Sequence, residues 1–155
     1  PFVIRYPRGK GEMKDWRNEM QVLPIGKGKK LRDGDDIAVL SIGPIGNEVI
    51  KAIEMVKEER VSIAHYDMIY LKPLDEELLH EIGQKYNRII TVENGVIKGG
   101  FGSAVLEFMA DNGYTPHVKR IGVPDAFIEH GSIPELYQLC GMDAESIAKQ
   151  LKKEN

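Results

Sequence analysis

The chain has 155 residues, of which 42% are hydrophobic and 29% are charged, and its net charge at neutral pH is -3. This balance is typical of one folded domain and excludes a disordered or fibrous protein. The small negative charge gives no attraction to nucleic acid or to an anionic membrane, and no run of residues reaches the roughly 18 apolar positions that a spanning helix needs.

The amino-terminal residues Pro1 to Gly9 are predicted to form a short apolar strand that leads into a basic loop. They lack an initiator methionine, and a strand that starts at residue 2 needs a partner from further upstream. We therefore expect the chain to be a piece of a longer protein. Arg5 and Arg8 are candidate phosphate ligands, because the planar guanidinium forms two charge-assisted hydrogen bonds with a phosphate. Taken alone, however, such a loop more often holds exposed arginines in ion pairs.

Residues 10–36 are rich in glycine and in charged residues, which predicts a linker that contains a short hairpin. Met20 to Ile25 and Lys29 to Leu31 are its predicted arms. Asp33 and Gly34 have the turn chemistry that precedes the next strand.

From Ile37 onward, apolar runs alternate with segments of helical period, which is typical of βαβ units. The predicted strands are 37–43, 61–71, 88–93 and 117–123, the last of them at an edge; the predicted helices are 46–59, 75–86, 100–110, 133–140 and 143–152. The predicted fold is a three-layer α/β domain, an open and mostly parallel sheet with helices on both faces.

Two glycine-rich turns connect predicted strands to predicted helices, where such folds often bind phosphate. The turn Gly43-Pro-Ile-Gly46 lacks the G-x-G-x-x-G spacing of a dinucleotide site, which favours a tight structural turn. The stretch from Gly95 to Ser103 also lacks a nucleotide motif. Close packing of its backbone against a neighbouring chain is favoured over ligand binding.

Glu93 stands at the carboxyl end of a predicted strand, where catalytic carboxylates often lie. A lone carboxylate needs a partner for acid–base chemistry, so a helix cap or a subunit contact is the favoured interpretation. Cys140 is the only cysteine, which excludes an internal disulfide and a cysteine-based metal cluster. We predict that it is a half-buried thiol in a reducing, cytoplasmic setting.

The histidines do not form a metal-binding pattern; they are His65, His80, His117 and His130. His80 is predicted to lie on the exposed side of its helix. His130, beside Glu129 in a loop, is the histidine expected to touch a partner. Asp125 could meet His130, but no Ser or Cys nucleophile occurs in a recognisable elbow, so a hydrolytic triad is not predicted.

Several motifs together resemble a known family. In chain order they are Ile4-Arg-Tyr-Pro-Arg-Gly9, Leu23-Pro-Ile-Gly-Lys-Gly28, Asp67-Met68, Leu71-Lys-Pro-Leu-Asp75, Thr91-Val-Glu-Asn94, Gly99-Gly-Phe-Gly-Ser103, Gly122-Val-Pro-Asp125 and Glu129-His-Gly131. Their order and spacing resemble the carboxyl end of the 1-deoxy-D-xylulose-5-phosphate synthases, in the transketolase superfamily. The resemblance covers essentially the whole chain.

The resemblance implies a thiamine-diphosphate- and Mg²⁺-dependent transferase that condenses pyruvate with D-glyceraldehyde 3-phosphate, with loss of CO2. The product of such an enzyme feeds isoprenoid, thiamine and pyridoxal biosynthesis. The resemblance also implies a homodimer. Residues 1–9 would end the middle domain, 10–36 would be the linker and 37–155 the carboxyl-terminal domain. Its partners would be the amino-terminal and middle domains of the same protein, which hold the cofactor.

By its motif Arg8 would bind the phosphate of glyceraldehyde 3-phosphate, with Tyr6 and Arg5 as candidate neighbours. No catalytic residue, cofactor ligand or metal ligand is expected in this chain, so alone it should be inactive. Two alternatives remain: a beta subunit of a 2-oxo acid dehydrogenase or a split transketolase, and a non-catalytic α/β binding or assembly module.

Overall fold

The computed structural model describes residues 2–6, 19 and 21–152. The strands are β1 (Lys29–Arg32), β2 (Ile37–Ile42), β3 (Ile63–Asp67), β4 (Arg88–Val96) and β5 (His117–Val123), and the helices are α1 (Gly46–Met55), α2 (Glu76–Lys85), α3 (Phe101–Asp111), α4 (Ile133–Leu139) and α5 (Ala144–Leu151). The sheet order is β1-β3-β2-β4-β5. All neighbouring strands are parallel except β1 and β3. The predicted open α/β sheet, with β5 at its edge, is confirmed.

The sheet is covered on both faces, because alternate residues of its central strands point to opposite sides. In β2, Ile37 and Val39 join the core formed with α1 and α5. Ala38 and Leu40 join the second core, formed with α2 and α3. A strand buried on both faces must be almost wholly apolar, which is why β2 has that composition.

The prediction that residues 20–25 and 29–31 pair as a hairpin is wrong. β1 pairs antiparallel with β3, and Lys29 lies opposite Asp67, whereas residues 21–25 form no strand. β3 would otherwise be an exposed edge with unpaired backbone groups, and β1 satisfies them. The segment predicted as linker therefore contributes one strand to the sheet.

Three predicted elements differ at their ends by more than one residue, and β3, predicted over 61–71, spans only Ile63–Asp67. β4 continues past Glu93 to Val96, because after a shift in register Val96 pairs with Val123 of β5. α1 ends at Met55 rather than at residue 59, and the N–H of Glu59 donates to the carbonyl of Val56 in the following turn at 2.9 Å.

The predicted helix signals after α4 are confirmed. Gly141 has a φ of +65°, a left-handed conformation that ends the helix at low steric cost. The side chain of Asp143 accepts a hydrogen bond from the N–H of Ser146 at 3.1 Å and so caps α5. Among the described residues, no helix combines the length and the apolar character needed to cross a membrane.

Candidate functional site at the carboxyl edge of the sheet

The carboxyl ends of β3, β2, β4 and β5 lie on one edge of the sheet, because these strands are parallel. Ligands of open α/β sheets bind in the crevice at this edge. Both glycine-rich turns and Glu93 lie at this edge, which is therefore the candidate functional site.

The turn that follows β2 is tight and structural, as predicted. Gly43 has a φ of +79°, and its carbonyl accepts a hydrogen bond from the N–H of Gly46 at 3.0 Å. A Cβ on Gly46 would lie 2.9 Å from Oγ of Ser41. The second glycine is therefore needed for close packing of α1 on the sheet.

Glu93 caps helix α3, as favoured by the sequence. Its side chain is buried, its Oε2 accepts from the N–H of Phe101 and its Oε1 from the N–H of Gly102, each at 2.8 Å. The first N–H groups of a helix are the usual site for an external anion. Here the protein's own carboxylate fills that position.

Two glycines of the second turn, Gly100 and Gly102, are required by packing within this chain, whereas the sequence favoured packing against a neighbouring chain. A Cβ on Gly100 would collide with the Glu93 carboxylate and with the carbonyl of Val96, and one on Gly102 would lie 2.5 Å from Oγ1 of Thr91. These close contacts lie within this chain.

Arg120 fixes the outer part of the same turn. Its Nη1 donates to the carbonyl of Ile97 at 3.1 Å and to Oγ of Ser103 at 2.8 Å. Oγ of Ser103 in turn accepts from the N–H of Gly99 at 3.0 Å. Side chains of the domain itself therefore satisfy much of the turn's hydrogen-bonding capacity.

A buried serine–histidine pair was missed at the sequence level. Oγ of Ser41 and Nε2 of His65 are 2.9 Å apart, and both residues are 1% exposed. Burial lowers the pKa of His65 to about 4, so the ring is neutral at physiological pH. The pair has the residue types of a nucleophile and its base, but its burial leaves no access for a substrate.

The pairing of β2 with β3 brings Ser41 and His65 together. Val39 is the register partner of His65, and Ser41 lies two positions further along the same strand face. The sequence does show one polar residue in each of these two apolar strands. Their contact could not be predicted from it without knowledge of the strand register.

The prediction for His80 is wrong. Nδ1 of His80 is 3.0 Å from the hydroxyl of Tyr114, and its ring packs edge-on against Phe108 at a centroid distance of 4.9 Å. This face of α2 is covered by its contact with α3. The apolar pattern of α2 by itself does not reveal that contact.

The other predicted polar residues do not assemble into a site. His117 and His130 are exposed, and the carboxylate of Asp125 pairs with Nζ of Lys98 at 3.2 Å. Cys140 is a half-buried free thiol, as predicted. Within the described ranges, no group of three or more His, Cys, Asp or Glu residues is placed to hold a metal ion.

Two of the sequence motifs form a structural clasp. The carboxylate of Asp75 accepts from the N–H of Gly28 at 2.9 Å and from the N–H of Leu78 at 3.2 Å, so it both caps α2 and holds the segment before β1. A Cβ on Gly26 would lie 2.8 Å from Cγ of Pro73. These motif residues therefore serve the fold.

The predicted phosphate ligand, Arg8, lies outside the described residues. Its candidate neighbours Arg5 and Tyr6 are exposed, and the Tyr6 side chain is 81% accessible. The amino-terminal segment touches the domain through Phe2, whose ring lies edge-on to Tyr70 at a centroid distance of 6.5 Å. The role of Arg8 stays a prediction.

The five-stranded sheet, its two covered faces and its self-capped carboxyl edge define a transketolase-type carboxyl-terminal α/β domain. A family model described as the transketolase carboxyl-terminal domain matches residues 26–147. The chain belongs to this family.

The chain is also similar to the 1-deoxy-D-xylulose-5-phosphate synthase of Bacteroides thetaiotaomicron, with 61% identity over 155 residues, and to that of Geobacillus thermodenitrificans, with 40% identity over 153 residues. In each case it spans 24% of the relative's length. The chain thus spans about a quarter of the curated relatives that it matches.

Solved structures give the same fold. A split-gene transketolase, described as an inactive beta4 tetramer, superposes with a TM-score of 0.74 at 30% identity, covering 84% of this chain and 45% of that one. A transketolase from Campylobacter jejuni gives a TM-score of 0.60 at 13% identity, over 86% of this chain and 20% of that one. The second likeness concerns the fold alone.

Proposed function

We propose that the chain is the carboxyl-terminal part of a thiamine-diphosphate-dependent 1-deoxy-D-xylulose-5-phosphate synthase. The enzyme condenses pyruvate with D-glyceraldehyde 3-phosphate and releases CO2. The observation that carries the proposal is the high identity to such synthases, which extends over 99% of the chain. The matched region includes residues 6–9, Tyr-Pro-Arg-Gly in this chain, which lie before the start of the family match at residue 26.

The described residues do not fit the cofactor. The N-terminus of α3 is occupied by the Glu93 carboxylate, and within the described part of the chain no acidic or histidine cluster could hold the cofactor's metal ion. Thiamine diphosphate supplies an ylid that adds to a carbonyl. We propose that the preceding part of the protein binds it together with Mg²⁺, and that this chain alone is inactive.

Within this proposal the chain contributes one substrate ligand. Arg8 binds the phosphate of glyceraldehyde 3-phosphate through its guanidinium, and Tyr6 and Arg5 are candidates for orienting it. The domain boundaries that we propose are 1–9 for the end of the middle domain, 10–36 for the linker and 37–155 for the carboxyl-terminal domain.

We also propose that the enzyme is a cytoplasmic homodimer. The free thiol of Cys140 is compatible with a reducing compartment. A homodimer is what the synthase resemblance implies. Sedimentation of the longer protein would test the oligomeric state.

A chimeric enzyme tests the function. The matched segment of the Bacteroides thetaiotaomicron synthase is replaced by this chain, and the product is measured with pyruvate and glyceraldehyde 3-phosphate. We expect 1-deoxy-D-xylulose 5-phosphate and one CO2 for each product formed. The amino-terminal part without this chain is the control. A chimera that folds and binds thiamine diphosphate but forms no product would contradict the proposal.

A beta chain of a split transketolase is the second candidate, favoured by the similarity to the split-gene structure. The coding sequence upstream of Pro1 discriminates between the two. A synthase continues in one reading frame into thiamine-binding domains, whereas a split transketolase or a 2-oxo acid dehydrogenase has them on another chain. A non-catalytic binding module would instead show a thermal shift with nucleotides.

A further inference from the structure

Residues 124–139, which follow β5 and include α4, contribute little to the domain's core, which Tyr137 contacts as a partly buried side chain. None of these residues is buried, and α4 has no buried residue. The next helix, α5, buries Ala144, Ile147, Ala148 and Leu151. A stable surface helix normally buries an apolar stripe, so α4 is covered much less by this domain than α5 is.

The segment is nevertheless rich in apolar side chains: Ala126, Phe127, Ile128, Ile133, Leu136 and Leu139. Ile133 is 50% and Leu139 is 69% exposed, and the Phe127 side chain is fully exposed. Single exposed apolar residues are ordinary, but several of them on one short segment favour an interaction surface.

The same segment is held in a defined position. Nδ2 of Asn94 donates to the hydroxyl of Tyr137 at 3.2 Å, which ties α4 to the carboxyl end of β4. The N–H of Ser132 donates to Oε2 of Glu135 at 2.9 Å in a capping box at the start of α4. These bonds hold α4 against β4 while Ile133 and Leu139 stay exposed.

Next to Phe127 the surface forms an open pocket of about 280 Å³. It is lined by Val96, Pro124, Asp125, Ala126 and Phe127. The ion pair of Asp125 with Lys98 lies at this pocket, so an apolar centre has a charged group beside it. This is the usual composition of a protein–protein contact.

We propose that residues 124–139, with Phe127 as the most exposed apolar side chain, are the docking surface for the part of the synthase polypeptide that precedes this chain. The inference rests on the proposed function. It assumes that this chain is preceded by the further domains of a synthase, since the chain matches only 24% of the length of such a relative. The position of the amino-terminal segment supports this occupant. Phe2 contacts Tyr70, which follows β3, so the chain arrives at the same carboxyl edge of the sheet.

The distances along this edge are compatible with one covering domain. From β3 the sheet continues through β2 and β4 to β5. Three strand spacings correspond to about 14 Å, well within the width of a domain. A preceding domain that ends with residues 1–9, as proposed above, can therefore cover the carboxyl ends of the strands and reach Phe127.

Thiol labelling tests the proposal in a Cys140→Ser background. Phe127→Cys and the control Met55→Cys, in an α1 residue that is 57% exposed, are made in the 155-residue chain and in the complete synthase. The rate of reaction with a maleimide is measured for each. We expect Phe127→Cys to react about tenfold or more slowly in the complete synthase than in the short chain, because an interface core excludes water. Met55→Cys should react within about twofold in both, since it lies away from the proposed contact.

Equal rates for Phe127→Cys in the two proteins would overturn the proposal. Slower labelling of the short chain at higher protein concentration would assign the surface to a second copy and would also overturn it. If Phe127→Cys does not fold, hydrogen exchange of residues 124–139 in the unmodified proteins gives the same comparison. None of these measurements needs catalysis, so loss of the proposed activity and loss of the proposed interface are separate outcomes.

Discussion

The carboxylate of Glu93 occupies the space that a Cβ on Gly100 would need. The glycine and the glutamate are therefore a matched pair: the first leaves room for the second to reach the N–H groups of α3. Because the helix terminus is satisfied from inside the domain, this turn serves stability.

Gly100→Ala should destabilise the chain through steric overlap alone. The φ of Gly100 is -90°, which alanine tolerates, but the added methyl group displaces Glu93 from its cap. We expect a loss of about 2–3 kcal/mol in the free energy of unfolding, measured by urea denaturation. Gly99→Ala is the control, because Gly99 has a φ of +70° and open space around it, and its loss should be about 1 kcal/mol. Equal losses would show that crowding is not the cause.

Glu93→Gln should lower stability without changing substrate affinity. One amide oxygen can still accept from the N–H groups of α3, but the negative charge near the helix N-terminus is lost, at a cost of about 1–2 kcal/mol. Denaturation gives the stability, and steady-state kinetics of the complete enzyme gives the Michaelis constants. A rise in KM for either substrate beyond about twofold, which is more than a cap alone should cause, would give Glu93 a role that we do not assign.

The stability of the chain should decrease in acid because of His65. The unfolded chain binds a proton below about pH 6.5, whereas the folded protein keeps His65 neutral down to about pH 4. The free energy of unfolding therefore falls as the pH drops from about 6.5 to 4, by up to about 3 kcal/mol, and this contribution is constant below that range.

Substitutions of His65 and Ser41 separate the effect of burial on the pH dependence of stability from the effect of their hydrogen bond. His65→Gln should remove this part of the pH dependence, because glutamine does not titrate. Ser41→Ala should lower stability by about 1–2 kcal/mol at every pH and keep the acid-sensitive step, since burial causes the shift. Denaturation at a series of pH values measures both. An unchanged pH profile in His65→Gln would assign the acid sensitivity to other groups.

Asp75→Ala should loosen the clasp between α2 and the segment before β1. The variant loses the N-cap of α2 and the hydrogen bond to Gly28, for which we expect about 1–3 kcal/mol. Glu76→Ala, at an exposed neighbouring position, should cost less than about 0.5 kcal/mol. Thermal unfolding compares the two, and equal midpoints would exclude the clasp as a source of stability.

Arg8→Ala in the complete enzyme should act on one substrate. We expect KM for glyceraldehyde 3-phosphate to rise about tenfold or more, because a charge-assisted contact with the phosphate is lost, while KM for pyruvate stays within about twofold. Arg60→Ala, at an exposed arginine elsewhere, is the control. A matching rise for both substrates would remove the assignment of Arg8.

The fold could be predicted from the sequence because its signals are local. The apolar run of β2 and the helical period of α2 specify their elements without knowledge of their neighbours. The caps made by Asp143 and Gly141 could also be predicted, since each acts on the adjoining turn. Relations between distant segments could not: the pairing of β1 with β3 and the cover of His80 by Tyr114 depend on how the elements pack.

By itself, the sequence determined the α/β class, the order of its elements and, through its motifs, the resemblance to the synthases. Only the tertiary structure decided that Glu93 and Gly100 complete a helix end, that Ser41 and His65 form a buried pair, and that residues 124–139 leave Phe127, Ile133 and Leu139 exposed. The physical reason is that residue types and spacing act within a few turns of chain. Burial and hydrogen bonding across the sheet exist only once the strands have paired in register.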